Sequence, residues 1–297
     1  MSVEIHKLSE LPAEPGAGRR VAIGTFDGVH VGHRKVIEGA TTVLTFDPHP
    51  LAVIKPDAAP KMLTPPALKA RLLEDLGVKE LVLIEFDESF AHMSADDFVQ
   101  QILIDKLGAS HVSVGENFRF GFKAQGDPAF LAARDEFETR VVPLVEVDGE
   151  IVSSTQIRGL VAAGDLHRAD ELLGYPFTTI GEVIHGDKRG RELGFPTANI
   201  APDEHDCVPG HGVYAALTDG QPSAVNVGVR PTFQTGRGLL IESFLIDWSG
   251  DLYGKQVEIQ FLERLRGEHR FDDVDSLIEQ MHEDVRQAAE ICAARQS

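Results

Sequence analysis

Cysteine, positive charge and long apolar runs are what this sequence is short of. Its 297 residues include two cysteines, Cys207 and Cys292, too few for a disulfide framework and without the paired spacing of a zinc site. Both read as plain small side chains in a reducing compartment. Against 47 Asp and Glu there are only 28 Lys and Arg, a formal charge of −19. Phosphate backbones and anionic membranes are held by clustered cations, so neither a nucleic acid nor a membrane surface is an expected partner. No apolar run approaches the roughly 18 residues of a membrane span. The opening MSVEIHKLSE has neither the basic start nor the apolar stretch of a signal peptide. The chain therefore reads as cytoplasmic. It contains no internal repeat and no low-complexity tract. Small phosphorylated ligands remain allowed, since they need only a local positive patch or a few aimed backbone N–H groups.

What is present is a composition of globular type, 42% hydrophobic and 25% charged, in a chain long enough for two domains at about 150 residues each. The two halves differ in rhythm. From Arg20 to Val145, β-branched runs (VAIG 21–24, TTVLTF 41–46, ELVLIEF 80–86, HVSVG 111–115, RVVPLVEV 140–147) alternate with helical stretches, which predicts a parallel sheet with helices on its faces. Ser94 with Asp97 starts one helix and Gly108 stops it; Asp127-Pro128 opens another. Residues 154–173 predict two short helices punctuated by Gly164-Asp165 and Gly174. Beyond them come strands without intervening helices (FTTIGEVIHG, GVYAALTDG, SAVNVGVR, LLIESFLIDW, QVEIQFLERL), the pattern of a small antiparallel barrel. From about Asp273, the positions Val274, Leu277, Ile278, Met281 and Val285 predict a long helix packed on that barrel. The expected division is 1–155, a helical joint at 156–176, and 177–297.

Chemistry gathers where the first strand ends. VAIGTFDGVHVGH leads from a strand through a glycine-rich turn into a helix start and sets His30 and His33 three residues apart. Ligands of open α/β sheets bind at the carboxyl ends of strands. Gly24, Gly28 and Gly32 allow close approach of backbone to phosphate, and imidazole N–H groups can donate to phosphoryl oxygens. The alternative is a metal pair, for which His49 and Asp47 would have to supply further ligands.

GTFDGVHVGH resembles the nucleotide-binding signature of the nucleotidyltransferase superfamily that includes the class I aminoacyl-tRNA synthetases. Together with TFDPHP (45–50), GENFRFG (115–121) and SSTQIR (153–158), it resembles the FMN adenylyltransferase module of the bacterial bifunctional riboflavin kinase/FAD synthetases. GDKRGRELGFPTANI (186–200), HGVYAA (211–216), NVGVRPTF (226–233), IESFLIDWSGDLYG (241–254) and LRGEHRFDDVDSLIEQM resemble the flavokinase barrel of the same family and its C-terminal segment. The resemblance covers nearly the whole chain. It implies a Rossmann-like N-terminal domain, a flavokinase-type barrel, and two reactions: riboflavin and ATP to FMN, then FMN and ATP to FAD and pyrophosphate, with Mg²⁺.

The resemblance also implies roles. Gly24, Phe26, Gly28, His30 and His33 would face the ATP phosphates of adenylylation, with Ser154, Thr155 and Arg158 closing over them. Arg158 has the planar fork suited to a leaving pyrophosphate. Asn117 would contact nucleotide or flavin, and Phe46 and Phe118 would flank the isoalloxazine ring or simply pack the core. Phosphorylating a neutral ribityl hydroxyl needs a proton acceptor. Glu242 matches the family's catalytic glutamate; read without the family it is a solvated strand residue. Thr197 and Asn199 match the positions that hold Mg²⁺ and ATP phosphates. Gly186, Lys188, Gly190 and Gly194 would form the phosphate-facing loop, whose Lys188, Arg189 and Arg191 otherwise read as a solvated turn.

One departure is visible. Only RKVIEGATTVL (34–44) separates His33 from Thr45, so the helix after the histidines is barely two turns, shorter than the family's usual segment. A monofunctional riboflavin kinase with a decayed first module, or a non-catalytic flavin- or nucleotide-binding regulator, therefore stand as alternatives. The acid is unevenly placed, and Arg19, Arg20, Arg34 and Lys35 near the histidine turn, like Lys188, Arg189 and Arg191, form local positive patches where a polyphosphate is expected.

Overall fold

The computed structural model describes residues 2–12, 18–185, 195–232 and 236–296. They form two compact units, one of Met1–Lys61 with Pro66–Ser154, the other of Met62–Pro65 with Thr155–Ser297.

The first unit is built on six strands: β1 (Glu4–Lys7), β2 (Arg19–Ile23), β3 (Thr42–Asp47), β4 (Glu80–Glu85), β5 (Ala109–Gly115) and β6 (Glu138–Val142). Their order is β1-β4-β3-β2-β5-β6, with every neighbouring pair parallel. The central strands are buried on both faces, Val21 and Ile23 as fully as Ala22, and Val43 as fully as Leu44, as a parallel sheet covered by crossover helices requires. The chain moves outward from β2 to β3 and β4, then returns to the other side of β2 as β5. That reversal opens a crevice at the carboxyl ends of β2 and β5.

Two local readings change. β1 was not expected: it is a short polar edge strand whose pattern is mostly exposed, so no apolar run announces it. RVVPLVEV is not one strand. Pro143 has no N–H to give a ladder, so β6 stops at Val142 and the chain restarts as a hairpin, β7 (Glu146–Val147) with β8 (Glu150–Ile151). Its turn residues Asp148 and Gly149 have φ of 54° and 79°, the left-handed pair that a tight hairpin favours. The helix after Ser94 forms, with Ser94 Oγ accepting from Asp97 N at 3.0 Å, but Phe98–Lys106 is wound as a π-helix. The wider winding stacks positions four to five apart and brings Phe98, Ile102, Leu103 and Leu107 to the core together.

The second unit is a closed barrel of β9 (Thr178–Ile184), β10 (Ala198–Pro202), β11 (Gly212–Thr218), β12 (Gln221–Thr232), β13 (Gly236–Leu245) and β14 (Gln256–Arg266), in the order β10-β13-β12-β11-β14-β9. All its pairs are antiparallel. β10, which begins within TANI, is not among the expected strands; it is short and ends on a proline. Tyr214, Val225, Ile241 and Phe261 fill the interior. Thr218 Oγ1 lies 2.9 Å from Ser223 Oγ and 2.8 Å from Ser243 Oγ, so this buried hydroxyl trio is satisfied internally.

The two short helices are Ser154–Ala163 and Leu166–Leu173, ended by Gly164 and Gly174 in left-handed conformation. The helix Val274–Gln296 packs through Ala288 on Ala215 and Ala224. Its buried face takes in the end of the expected stripe and continues beyond it: Val274 is 57% exposed, Val285 packs on the same cluster, and Asp284, Ala288 and Cys292 are buried. Asp284 is covered because Arg266 pairs with it at 2.7 Å.

Candidate functional site

Between β2 and the helix Val31–Ile37 the chain makes a turn that few sequences could hold. Phe26 and Val29 have φ of 45° and 37°, and Gly28 has 92°. Left-handed conformations at bulky residues cost about 1–3 kcal/mol each and persist only where the surroundings enforce them. Here Phe26 and Val29 are buried, and three carbonyls of the turn are tied down. Thr25 O accepts from Thr45 Oγ1 at 3.1 Å and from Lys69 Nζ at 3.0 Å. Asp27 O accepts from Ser154 Oγ at 2.8 Å, and Val29 O from Arg34 Nε at 3.2 Å.

The turn delivers the histidine pair. His30 caps the helix, its Nδ1 accepting from His33 N at 3.2 Å. An accepting Nδ1 carries no proton, so the neutral ring bears its hydrogen on Nε2. The two imidazoles stack with centroids 3.5 Å apart and 17° between planes, and His33 meets Phe26 edge-on. A Cβ on Gly32 would lie 3.2 Å from the His30 ring, close enough that the ring would have to shift by a few tenths of an ångström.

A cavity of about 1000 Å³ opens in front of these rings, bordered by Gly24, Phe26, His30, His33, Ser154 and the aromatic cluster that follows. Phe46 sits edge-on to Phe86 at 5.8 Å, and Phe118 stacks on Phe120 at 5.5 Å. Phe46 and Phe118 are half-buried, pack on the core and also front the cavity, while the exposed Asn117 lines its mouth. Thr155, exposed, and Arg158, half-buried, follow on the helix Ser154–Ala163 and are counted with the second unit; Ser154 and Arg158, one turn apart, share a helix face.

The positive patch expected from Arg19, Arg20, Arg34 and Lys35 does not face this cavity. Arg19 is at the opposite end of β2, forked onto Glu80 at 2.8 and 3.2 Å. That guanidinium, with the Thr42 hydroxyl, holds the Glu80 carboxyl below its ordinary range. Arg20 donates to Gly39 O at 2.8 Å, and Lys35 lies 3.8 Å from Glu38. The cations of the cavity wall are instead Arg119 and Lys123. Among the described residues no three His, Cys, Asp or Glu side chains gather as a metal site. His49 caps the helix Pro50–Ile54, its Nδ1 accepting from Leu51 N at 3.2 Å.

The barrel carries a second polar centre. Ile241, Ser243 and Leu245 are buried, so the alternation of β13 turns Glu242 and Phe244 to the other face. Glu242 lies opposite Asn199 of β10 and Asn226 of β12. Asn226 Nδ2 donates to Glu242 Oε2 at 3.3 Å. Asn199 is buried, and its amide nitrogen is 3.5 Å from the carbonyl oxygen of Thr197. The expected loop residues Gly186, Lys188, Gly190 and Gly194, with Arg189 and Arg191, lie outside the described residues.

Known proteins match both units. The FAD synthetase family model matches residues 14–156 and the riboflavin kinase model residues 173–292. The bifunctional riboflavin kinase/FMN adenylyltransferase of Escherichia coli strain K12 is 36% identical, with 96% of each chain covered. The chain belongs to the bifunctional riboflavin kinase/FMN adenylyltransferase family. The family member of Bacillus subtilis is 37% identical over 97% of this chain and 96% of its own, and that of Listeria monocytogenes 38% over 89% of each. A crystal structure described as a macrolide-efflux protein from Streptococcus pneumoniae is 28% identical with a TM-score of 0.86, covering 97% of this chain and 99% of that one. No helix among the described residues is long and apolar enough to cross a membrane.

Four residues that the structure brings to or beside these centres are not singled out by the motifs of this family member. Arg119 and Lys123 sit in or beside GENFRFG, where side-chain direction decides their use. Asn226 is one polar letter in SAVNVGVR. Lys69 had a signal: it stands among Leu68, Leu72 and Leu73, which make it part of an apolar helix face, and it is itself buried.

Proposed function

We propose that the chain phosphorylates riboflavin in its barrel unit and adenylylates the resulting FMN in its sheet unit, with 1–155 and 177–297 as the two catalytic segments and 156–176 as the joint. The observation that carries this reading is the cavity in which a stacked histidine pair faces an aromatic wall. It offers phosphate donors on one side and a flat apolar surface for an isoalloxazine ring on the other.

In adenylylation the FMN phosphate oxygen attacks the α-phosphorus of ATP as the bond to the bridging oxygen breaks and pyrophosphate leaves. The nucleophile is already ionised near pH 7, so positioning and charge stabilisation suffice. His30 and His33 donate to phosphate oxygens, with Gly24, Phe26 and Gly28 shaping the turn. Ser154, Thr155 and Arg158 act from their helix, Arg158 holding the departing pyrophosphate in its fork. Phe46 and Phe118 flank the flavin and Asn117 contacts it or the nucleotide.

In phosphorylation the ribityl hydroxyl attacks the γ-phosphorus, its proton passes to Glu242 and ADP leaves. Asn226, donating to one Glu242 oxygen, leaves the other for that proton. Thr197 and Asn199 suit Mg²⁺: a hydroxyl and an amide carbonyl are hard oxygen donors, and Asn199, its nitrogen turned to the Thr197 carbonyl, presents its oxygen to a cation. Bound there, Mg²⁺ would neutralise charge on the transferring phosphoryl group. Gly186, Lys188, Gly190 and Gly194 contribute to ATP binding. The substrates are small molecules, no nucleic acid takes part, and Cys207 and Cys292, both buried and outside any disulfide, suit the reducing cytoplasm.

Incubating the protein with riboflavin, ATP and Mg²⁺ should yield FMN and then FAD by chromatography. No flavin phosphorylation would overturn the reading. FMN without FAD or pyrophosphate, when FMN is supplied directly, would leave a riboflavin kinase alone.

A further inference from the structure

Lys69 is 7% exposed on the helix Pro66–Asp75. An ammonium in such a place is costly unless it is paired and hydrogen-bonded, and a leucine would pack the same helix face without that cost. Among the described residues, no carboxylate hydrogen-bonds the Lys69 nitrogen. That nitrogen donates to Thr25 O at 3.0 Å, the first carbonyl of the strained turn, which also receives the Thr45 hydroxyl. Burial pushes the Lys69 ammonium towards losing its proton, while the nearby charges of Asp27 and Asp47 oppose that loss. Lys69 is not part of the cavity wall, so its influence on chemistry there passes through the turn.

We infer that Lys69 is a positioning residue for adenylyl transfer: its buried ammonium clamps the Thr25 carbonyl and so holds the turn that presents His30 and His33 to the phosphates. A charged donor on a carbonyl is a stronger tie than a neutral one, and it acts where Phe26 and Val29 store backbone strain. Released, the turn can relax towards ordinary conformations and carry the imidazoles with it. The inference rests on the adenylyltransferase reading of the first unit.

The test uses the full chain and both assays. Lys69→Met keeps the side chain's length and removes its charge. It should lower kcat for FAD formation from FMN and ATP at least fivefold, leave the KM for FMN within about twofold, and leave FMN formation from riboflavin within about twofold. Its melting temperature should be unchanged or higher, because a buried charge has been removed. A smaller fall in kcat, or an effect confined to KM, would overturn the inference, as would a loss of kcat that merely tracks a lowered melting temperature. If Lys69→Met fails to fold, Lys69→Gln decides, since it keeps a polar side chain but replaces the charged donor by a shorter, neutral one. A kcat within about 1.5-fold of wild type would show that the Thr25 carbonyl needs no charged clamp. Wild-type protein that makes no FAD would instead sink the reading of the first unit, and the Lys69 inference with it.

Discussion

At the scale of single residues, the two centres divide their labour by chemistry. A ribityl hydroxyl needs a base, and Glu242 lies between Asn199 and Asn226 on facing strands, within reach of the Asn226 amide. Glu242→Gln keeps the shape and removes the proposed base. FMN formation from riboflavin should fall by about 10²–10⁴-fold, the usual weight of a general base, while FAD formation from supplied FMN stays intact. His33→Ala should act in the reverse sense, lowering FAD formation at least tenfold and sparing the kinase. Separate assays with riboflavin and with FMN read both, and equal loss of the two steps in either variant would refute the division. The residue scale also corrects the charge reading. Arg19 and Arg20 are close in sequence to the histidines but belong to the far end of β2, where Glu80 and the Gly39 carbonyl engage them.

Among the elements, the helix begun by Ser94 carries the most local information. Ser94 Oγ accepts from Asp97 N at 3.0 Å and donates to Asp97 Oδ2 at 2.6 Å, so the hydroxyl is used both as acceptor and as donor. Phe98, at the first turn, is buried in the core and fronts the cavity. Ser94→Ala should cost the first unit about 1 kcal/mol, seen as an earlier urea midpoint for the loss of FAD formation with no shift in the midpoint for the kinase. The short helix Val31–Ile37, seven residues long, has a different lesson. Although it is brief, the turn before it is tied from several sides, by β3, the helix Pro66–Asp75 and Ser154 as well as by Arg34 of the short helix itself.

At the scale of the whole molecule, one buried carboxyl sets a pH dependence. Asp170, on the helix Leu166–Leu173, accepts from Phe177 N at 2.8 Å and stands 3.9 Å from Arg295 of the last helix. Burial pushes its pKa up to about 7, against the opposing pull of the Phe177 N–H and Arg295. The folded chain therefore keeps a proton that the unfolded chain releases in the ordinary carboxylate range. The stability this contributes is fully present below that range and is lost as pH rises towards 7. Asp170→Asn retains an acceptor for Phe177 N and removes the titration. Thermal scans should show wild type losing ground to the variant between pH 4 and pH 7, by at most a few kcal/mol, with the gap constant above pH 8. A gap that does not change with pH would exclude the assignment.

What the sequence determined by itself is whatever depends on local pattern. The β-branched runs with helices between them specified a parallel sheet, the closely spaced strands a barrel, and Ser94, Asp127, Gly164 and Gly174 the ends of helices, because capping and backbone freedom are properties of a few adjacent residues. The motifs located the histidine turn, and they located Glu242 with Asn199. What only the tertiary structure decided is whatever depends on residues distant in the chain meeting in space. It turned Arg19 and Arg20 away from the phosphates, split a strand at Pro143 and extended the packed face of the last helix to Ala288 and Cys292. It placed Asn226 on Glu242, and it brought a lysine 44 residues from Thr25 onto the carbonyl that begins the turn. A hydrogen bond across that separation leaves no periodicity to read; it exists because the sheet and the helix Pro66–Asp75 pack as they do.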